Sequence, residues 1–229
     1  FGASGGTNRQ EADPWQQVEA YRDAIGFVAA QERIDKDKIG VWGGSYSGGH
    51  TLVVAALDTR VKCFVALAPY LGGYDFISKI PLAQRQGLAQ LFNQDRLNRS
   101  KGGKPMMIPV VSEKPGELCV LATKSAYLFK ESFKAYALDW KNVVTLKSLE
   151  MQLDYQPVTY VNRIGNIPKL FLIAKKDELI AEKLLLEGYE HASEPKTLDY
   201  VEGNHFSPYM ESRNEMVDKC LVFFKKHLL

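Results

Sequence analysis

Val41-Trp42-Gly43-Gly44-Ser45-Tyr46-Ser47-Gly48-Gly49-His50 is the stretch from which the fold is read. An apolar run, Lys38-Ile39-Gly40-Val41-Trp42, leads into it, and a helix-like stretch over 49–57 follows. Strand, glycine-dense turn with a serine at its apex, and helix together have the form of a nucleophile elbow. Such a turn holds its central residue in strained backbone angles and lifts the hydroxyl clear of the sheet. Glycines flank it because a Cβ there would strike the neighbouring strand or helix. The competing reading is a glycine-rich strand-to-helix turn without chemistry.

Two serines compete for the apex. Ser45 has Gly43 two places before it but Ser47 two places after, with Gly48 one further on. Ser47 has Gly49 two places after but Ser45 two before. Ser45 is favoured, because it follows the apolar strand sooner and a small residue is tolerable two places on.

Alternation of strand and helix extends outward from this point. Asp13-Pro14-Trp15 reads as a helix cap with proline at the first helical position, and Val18, Tyr21, Ile25 and Val28 then recur at helical spacing. The residues 61–67 form the next strand, and the rhythm is that of a parallel sheet. It breaks over 75–166, where helices are expected at 82–97, 125–138 and 143–153 with no clear buried-strand pattern. This region reads as a helical lid insertion, of the kind that shapes a pocket and excludes water. Its aromatics, Phe92, Tyr127, Phe129, Phe133, Tyr136 and Trp140, either line an apolar acyl site or form the insertion's own core. The rhythm resumes with a strand at 169–174, a helix at 181–192, a strand at 196–201 and a closing helix at 210–229. Val217, Leu221, Phe224 and Leu228 mark one face of that last helix. The domain reading is a core made of 1–74 and 167–229, with 75–166 inserted.

Composition narrows the possible functions. The 229 residues suit one domain with an insertion, and 45% hydrophobic residues permit a real core. A net charge of +2 with both signs interspersed gives no reason to expect nucleic acid or an anionic membrane as partner. No apolar run is long enough for a transmembrane helix. Cys63, Cys119 and Cys220 lack metal-site spacing and read as buried thiols, which points to a reducing, intracellular compartment. That compartment is the cytoplasm first, with the peroxisome kept open although His227-Leu228-Leu229 is not its C-terminal address.

A serine hydroxyl needs a base, and the base needs a partner that fixes its tautomer. In open parallel sheets the functional groups gather at the carboxyl ends of strands. Asp177 follows the strand at 169–174, and His205 follows the strand at 196–201 in Glu202-Gly203-Asn204-His205-Phe206. One helix and one strand lie between them, which places them on adjacent strand ends. Glu178 competes with Asp177, and Asp177 on its own also reads as a loop or capping acid. His191 and His227 lie near helix C-termini, where a cation suits the dipole. His50 follows the elbow and is placed to line a pocket, on the wrong element to be the base.

The residues 39–50 quoted above, then Ala55-Ala56-Leu57-Asp58 and Arg60-Val61-Lys62, resemble the dienelactone-hydrolase-like and X-Pro-dipeptidase-like branch of the α/β hydrolases. Met107-Ile108-Pro109-Val110, Trp140-Lys141-Asn142 and the stretches 173–177 and 203–209 are similar to fungal polyketide transferases and hydrolases of secondary metabolism. The resemblance implies an α/β-hydrolase fold, mostly parallel with helices on both faces, and it makes the serine before tyrosine, Ser45, the nucleophile. It implies a Ser45–His205–Asp177 triad, with the Tyr46 backbone N–H as one oxyanion donor. Phe1-Gly2-Ala3-Ser4-Gly5-Gly6 resembles a family segment that follows an early central strand, so the strands before it are expected to be missing here, with the second oxyanion donor. The expected function is serine-dependent hydrolysis of a small-molecule ester or thioester, with no metal or organic cofactor required. The alternatives are an acyltransferase moving a polyketide or fatty acyl group to an alcohol, and a non-catalytic truncated relative.

Overall fold

The computed structural model describes residues 9–78, 80–114 and 116–229. In chain order its elements are α1 (Pro14–Ala29), β1 (Ile39–Gly44), α2 (Tyr46–Leu57), β2 (Val61–Leu67), α3 (Gly73–Ser78), α4 (Leu82–Ser100), β3 (Met107–Ile108), α5 (Lys124–Phe133), β4 (Val144–Thr145), α6 (Leu146–Asp154), β5 (Lys169–Ala174), α7 (Glu182–His191), β6 (Lys196–Val201) and α8 (Arg213–Leu228). The chain forms two compact units, one of Trp15–Gly72 with Gln156–Leu229, the other of Phe1–Pro14 with Gly73–Tyr155.

The first unit carries a four-stranded parallel sheet in the order β1-β2-β5-β6. Val41 pairs with Phe64, Ala66 with Phe171 and Ile173 with Tyr200, so the strands end nearly level. β5 is buried along its whole length, as a central parallel strand with both faces covered must be. On one face Cys63, Val65 and Leu67 of β2 pack against Met216, Cys220 and Phe223 of α8. Alternate residues point the other way, where Phe64 meets Phe171 edge-on and α2 lies against β1 and β2.

The closing helix turns a different face inward from the one its spacing suggested. Met216, Cys220 and Phe223 are buried, Phe224 and Leu228 are partly so, and Val217 and Leu221 stand 38% and 48% exposed. Two overlapping stripes run down this helix, one position apart, and a helix buries the stripe its neighbour accepts. In α1, Val18 and Ile25 are buried as expected, while Val28 is at the surface. All three cysteines are buried and free.

In the second unit, Ile108, Val144, Leu146, Leu149 and Leu153 form a small core, joined by Leu88, Leu91 and Phe92 from α4 and Ile77 from α3. Buried Asp95 accepts from the Met106 amide at 2.7 Å and from Arg99 Nε at 2.7 Å, which closes α4 onto the chain before β3. An antiparallel pair, β3 with β4, lies here where no strand was expected. Each strand is two residues long, too short to show a period. The helix expected over 143–153 begins at Leu146, because Thr145 caps it by accepting from the Ser148 amide while staying extended in β4. The helix expected to 138 stops at Phe133; Tyr136 and Leu138 beyond it are 85% and 86% exposed, with nothing to pack against. Phe129 and Phe133 pair edge-on, and Lys130 lies over Phe129 and Trp140.

Residues 1–6, matched above to a segment after an early strand, lie outside the described residues. Among the described residues no helix is long and apolar enough to cross a membrane.

Candidate active site

The end of β1 and the start of α2 meet at Ser45, whose φ of 57° and ψ of −120° lie in a region that side chains seldom occupy. The surroundings hold it there. The Ser45 amide donates to the Leu67 carbonyl at 2.8 Å, and the Ser45 carbonyl accepts from the Tyr70 and Gly49 amides at 2.9 and 3.1 Å. The two arms of the turn approach so closely that a Cβ on Gly43 would stand 2.2 Å from the Ser47 carbonyl oxygen. Glycine at that position lets the arms meet.

The competing serine is tied into the turn. Ser47 Oγ donates to the Gly44 carbonyl at 2.9 Å and accepts from the Gly44 amide at 3.1 Å. The Ser45 hydroxyl lies 2.8 Å from His205 Nε2.

His205 sits in the loop after β6, which is built to hold a ring in place. Gly203 turns the chain at φ +96°, and Asn204 Oδ1 accepts from the Phe206 and Ser207 amides at 2.9 and 3.2 Å. The Ser207 hydroxyl donates to Glu211. The loop is joined to the end of β5 by the Lys176 amide, which donates to the Gly203 carbonyl at 2.9 Å. His205 Nδ1 is 2.7 Å from Asp177 Oδ2, and the two side chains are 2% and 1% exposed. An ionised carboxylate only accepts. The ring therefore donates Nδ1–H to Asp177 and leaves Nε2 to accept from Ser45.

Asp177 is fixed in turn, since its other oxygen accepts from the Leu179 and Ile180 amides, both at 2.9 Å. Neighbouring Glu178 is exposed. Tyr46 opens α2, so its amide belongs to the positive end of a twelve-residue helix directly after Ser45. Tyr209 packs close under the turn, its hydroxyl 2.2 Å from where a Gly44 Cβ would be; burial and the Asp177 charge push this phenol well above its ordinary range. Among the described residues there is no group of three or more His, Cys, Asp or Glu placed to hold a metal ion.

The remaining histidines lie elsewhere. His191 Nδ1 is 2.7 Å from the Glu187 carbonyl one turn back, and His227 is in the last turn of α8. His50 is 2% exposed, and burial pushes its pKa down to about 4. It borders a cavity of about 610 Å³ in which Gln17, Ala20, Tyr21 and Ala24 of α1 face Ser45. Sequence reasoning missed this contribution of α1. Its trace is present, for the four residues stand at helical spacing, but Gln17, Ala20 and Ala24 are small or polar and do not stand out against the apolar stripe to which Tyr21 was assigned.

The acetyl xylan esterase (AXE1) family model matches residues 17–101. Quorum-quenching protein AidA of Acinetobacter baumannii is 27% identical over all of this chain and 74% of its own length. Thiohydrolase aneE of Aspergillus aculeatus is also 27% identical, with the same coverage. Polyketide transferase grgF of a Penicillium species is 27% identical over 100% of this chain and 76% of its own. The crystal structure of the α/β hydrolase GrgF from Penicillium sp. sh18 superposes with a TM-score of 0.83 at 25% identity, covering 100% of this chain and 77% of that one. The sheet order, the strained turn after β1 and these likenesses agree: the chain has the α/β-hydrolase fold and is an enzyme of the hydrolase or acyltransferase kind.

Proposed function

We propose that the protein is a serine-dependent hydrolase that cleaves a small-molecule ester or thioester through an acyl-enzyme. The observation that carries this reading is the unbroken relay from Ser45 Oγ to His205 Nε2 at 2.8 Å and from His205 Nδ1 to Asp177 at 2.7 Å. Ser45 Oγ attacks the substrate carbonyl while its proton passes to His205 Nε2. The imidazolium is stabilised by Asp177, and the Tyr46 N–H faces the developing oxyanion. Collapse expels the alcohol or thiol with the proton from His205, leaving an acyl group on Ser45. Water then attacks that ester, with His205 again as base, and releases the acid. The insertion over 75–166 is proposed as a lid.

Labelling by a fluorophosphonate probe tests the assignment. The parent protein labels at Ser45, and Ser45→Ala abolishes labelling and turnover of short aryl esters and thioesters. A Ser45→Ala protein that labels like the parent would end it. Folded parent protein that neither labels nor turns over would favour a non-catalytic relative.

Acyl transfer is the second reading, favoured by the relative named a polyketide transferase. It shares every step up to the acyl-enzyme and differs in giving the acyl group to an alcohol. An acyl thioester supplied with and without candidate alcohols separates the two by whether ester or free acid accumulates.

A further inference from the structure

The cavity beside Ser45 has a polar feature that the relay does not use. Ser47 is tied to Gly44 through two hydrogen bonds and also shares one with the Tyr21 hydroxyl, and the Tyr21 phenol donates to the Trp42 carbonyl at 3.2 Å. Deeper along α2, buried His50 holds Gln17 through an Nε2-to-Oε1 hydrogen bond of 3.0 Å. Its ring is packed edge-on by Tyr46 at 4.7 Å and Tyr21 at 6.4 Å. Burial keeps the ring neutral at ordinary pH, so it carries one proton, and the Gln17 oxygen holds that proton on Nε2. The oxygen of the carboxamide is thereby used. Its NH₂ meets no acceptor among the described residues, and the half-buried Gln17 side chain borders the cavity. A pinned amide with its acceptor occupied is a donor of fixed position in a wall it shares with Ala20, Ala24 and the Tyr21 and Tyr46 rings, across from the turn that carries Ser45 and Ser47. It favours an oxygen that can accept and is indifferent to a methylene.

We propose that the Gln17 carboxamide, pinned by His50, is a specificity-determining donor that selects substrates carrying a ketone or ether oxygen several bonds from the carbonyl that Ser45 attacks. The spacing follows from the helix. His50 lies five residues beyond Ser45, which at 1.5 Å per residue is about 7 Å along α2, and Gln17 is one hydrogen bond further. The position of the attacked carbonyl rests on Ser45 being the nucleophile; the choice between oxygenated and plain chains does not.

The test compares thioesters of a straight medium-length acid with those of the same acid bearing one mid-chain ketone. One neutral hydrogen bond predicts about a two- to tenfold advantage in kcat/KM for the keto chain. In Gln17→Leu the ratio falls to about one. The ratio is the readout, so a general loss of activity in the variant does not mimic the result. Calorimetric titration of the two free acids against Ser45→Ala protein, with and without Gln17→Leu, reads the same preference without turnover. An equal response to both chains in the parent, or a ratio unchanged by Gln17→Leu, overturns the proposal. Turnover that survives Ser45→Ala instead overturns the nucleophile assignment and leaves the binding ratio to judge Gln17 by itself.

Discussion

Replacing Gly43 by alanine tests whether the turn after β1 depends on the close approach of its two arms. A Cβ there would stand 2.2 Å from the Ser47 carbonyl oxygen and 2.6 Å from its carbon, both main chain, with Thr51 Cγ2 at 2.8 Å. Real Cβ atoms essentially never come nearer than 3.0 Å to such a neighbour, so strand and helix must part by about 0.8 Å. No flexible side chain can absorb the change, because the obstacle is the first turn of α2. Overpacking of this kind costs about 1–3 kcal/mol. In a chain of this length each kcal/mol lowers Tm by about 2–4 °C. The same displacement pulls Ser45 Oγ away from its 2.8 Å contact with His205. A misplacement near 1 Å costs about 10²-fold in rate. Thermal melts and the second-order rate of fluorophosphonate labelling measure the two effects separately. Gly87 is the control: it lies in α4, its Cβ would meet nothing within 4 Å, and Gly87→Ala should gain about 0.5–1 kcal/mol of helix stability. A Gly43→Ala protein that melts with the parent and labels at the parent rate would refute the reasoning.

Asp177→Asn should lower acylation by about 10⁴-fold while the fold persists, because an amide NH₂ facing Nδ1 reverses the tautomer of His205 and leaves Nε2 unable to accept from Ser45; exposed Glu178→Gln should change little, and labelling rates compare the two. Burial depresses the His50 pKa from 6.5 to about 4, so the unfolded chain binds the extra proton first and stability falls as pH drops from about 6.5 towards 4. The loss approaches ~3 kcal/mol for this one group, and denaturant titrations of His50→Gln should show a shallower slope over that window. With all three cysteines buried and Cys63 pushed up to about 11, a thiol reagent at pH 8 should find almost no reactive sulfur in native protein and three equivalents after unfolding. Ready reaction of native protein would contradict the burial of these side chains.

The central parallel strands β2 and β5 begin and end close to where their apolar runs do, since a strand covered on both faces is apolar nearly throughout. The glycine-dense turn was equally plain, because a close approach of main chains leaves glycine as the only residue that fits. Both are local matters. The chain order of serine, acid and histidine is also written in the sequence, as is their placement at the ends of β1, β5 and β6.

Which atoms meet was decided only in three dimensions. Ser45 faces His205 while Ser47 turns back on Gly44, and Asp177 rather than Glu178 reaches Nδ1. Neighbouring residues in a turn differ by a rotation that no spacing rule reports. The same limit hid the inward stripe of α8, the two-residue strands β3 and β4, and the part α1 plays beside Ser45. Periodicity records that an element has an apolar face; the register of the sheet and the helices packed on it choose which face is used and what it touches.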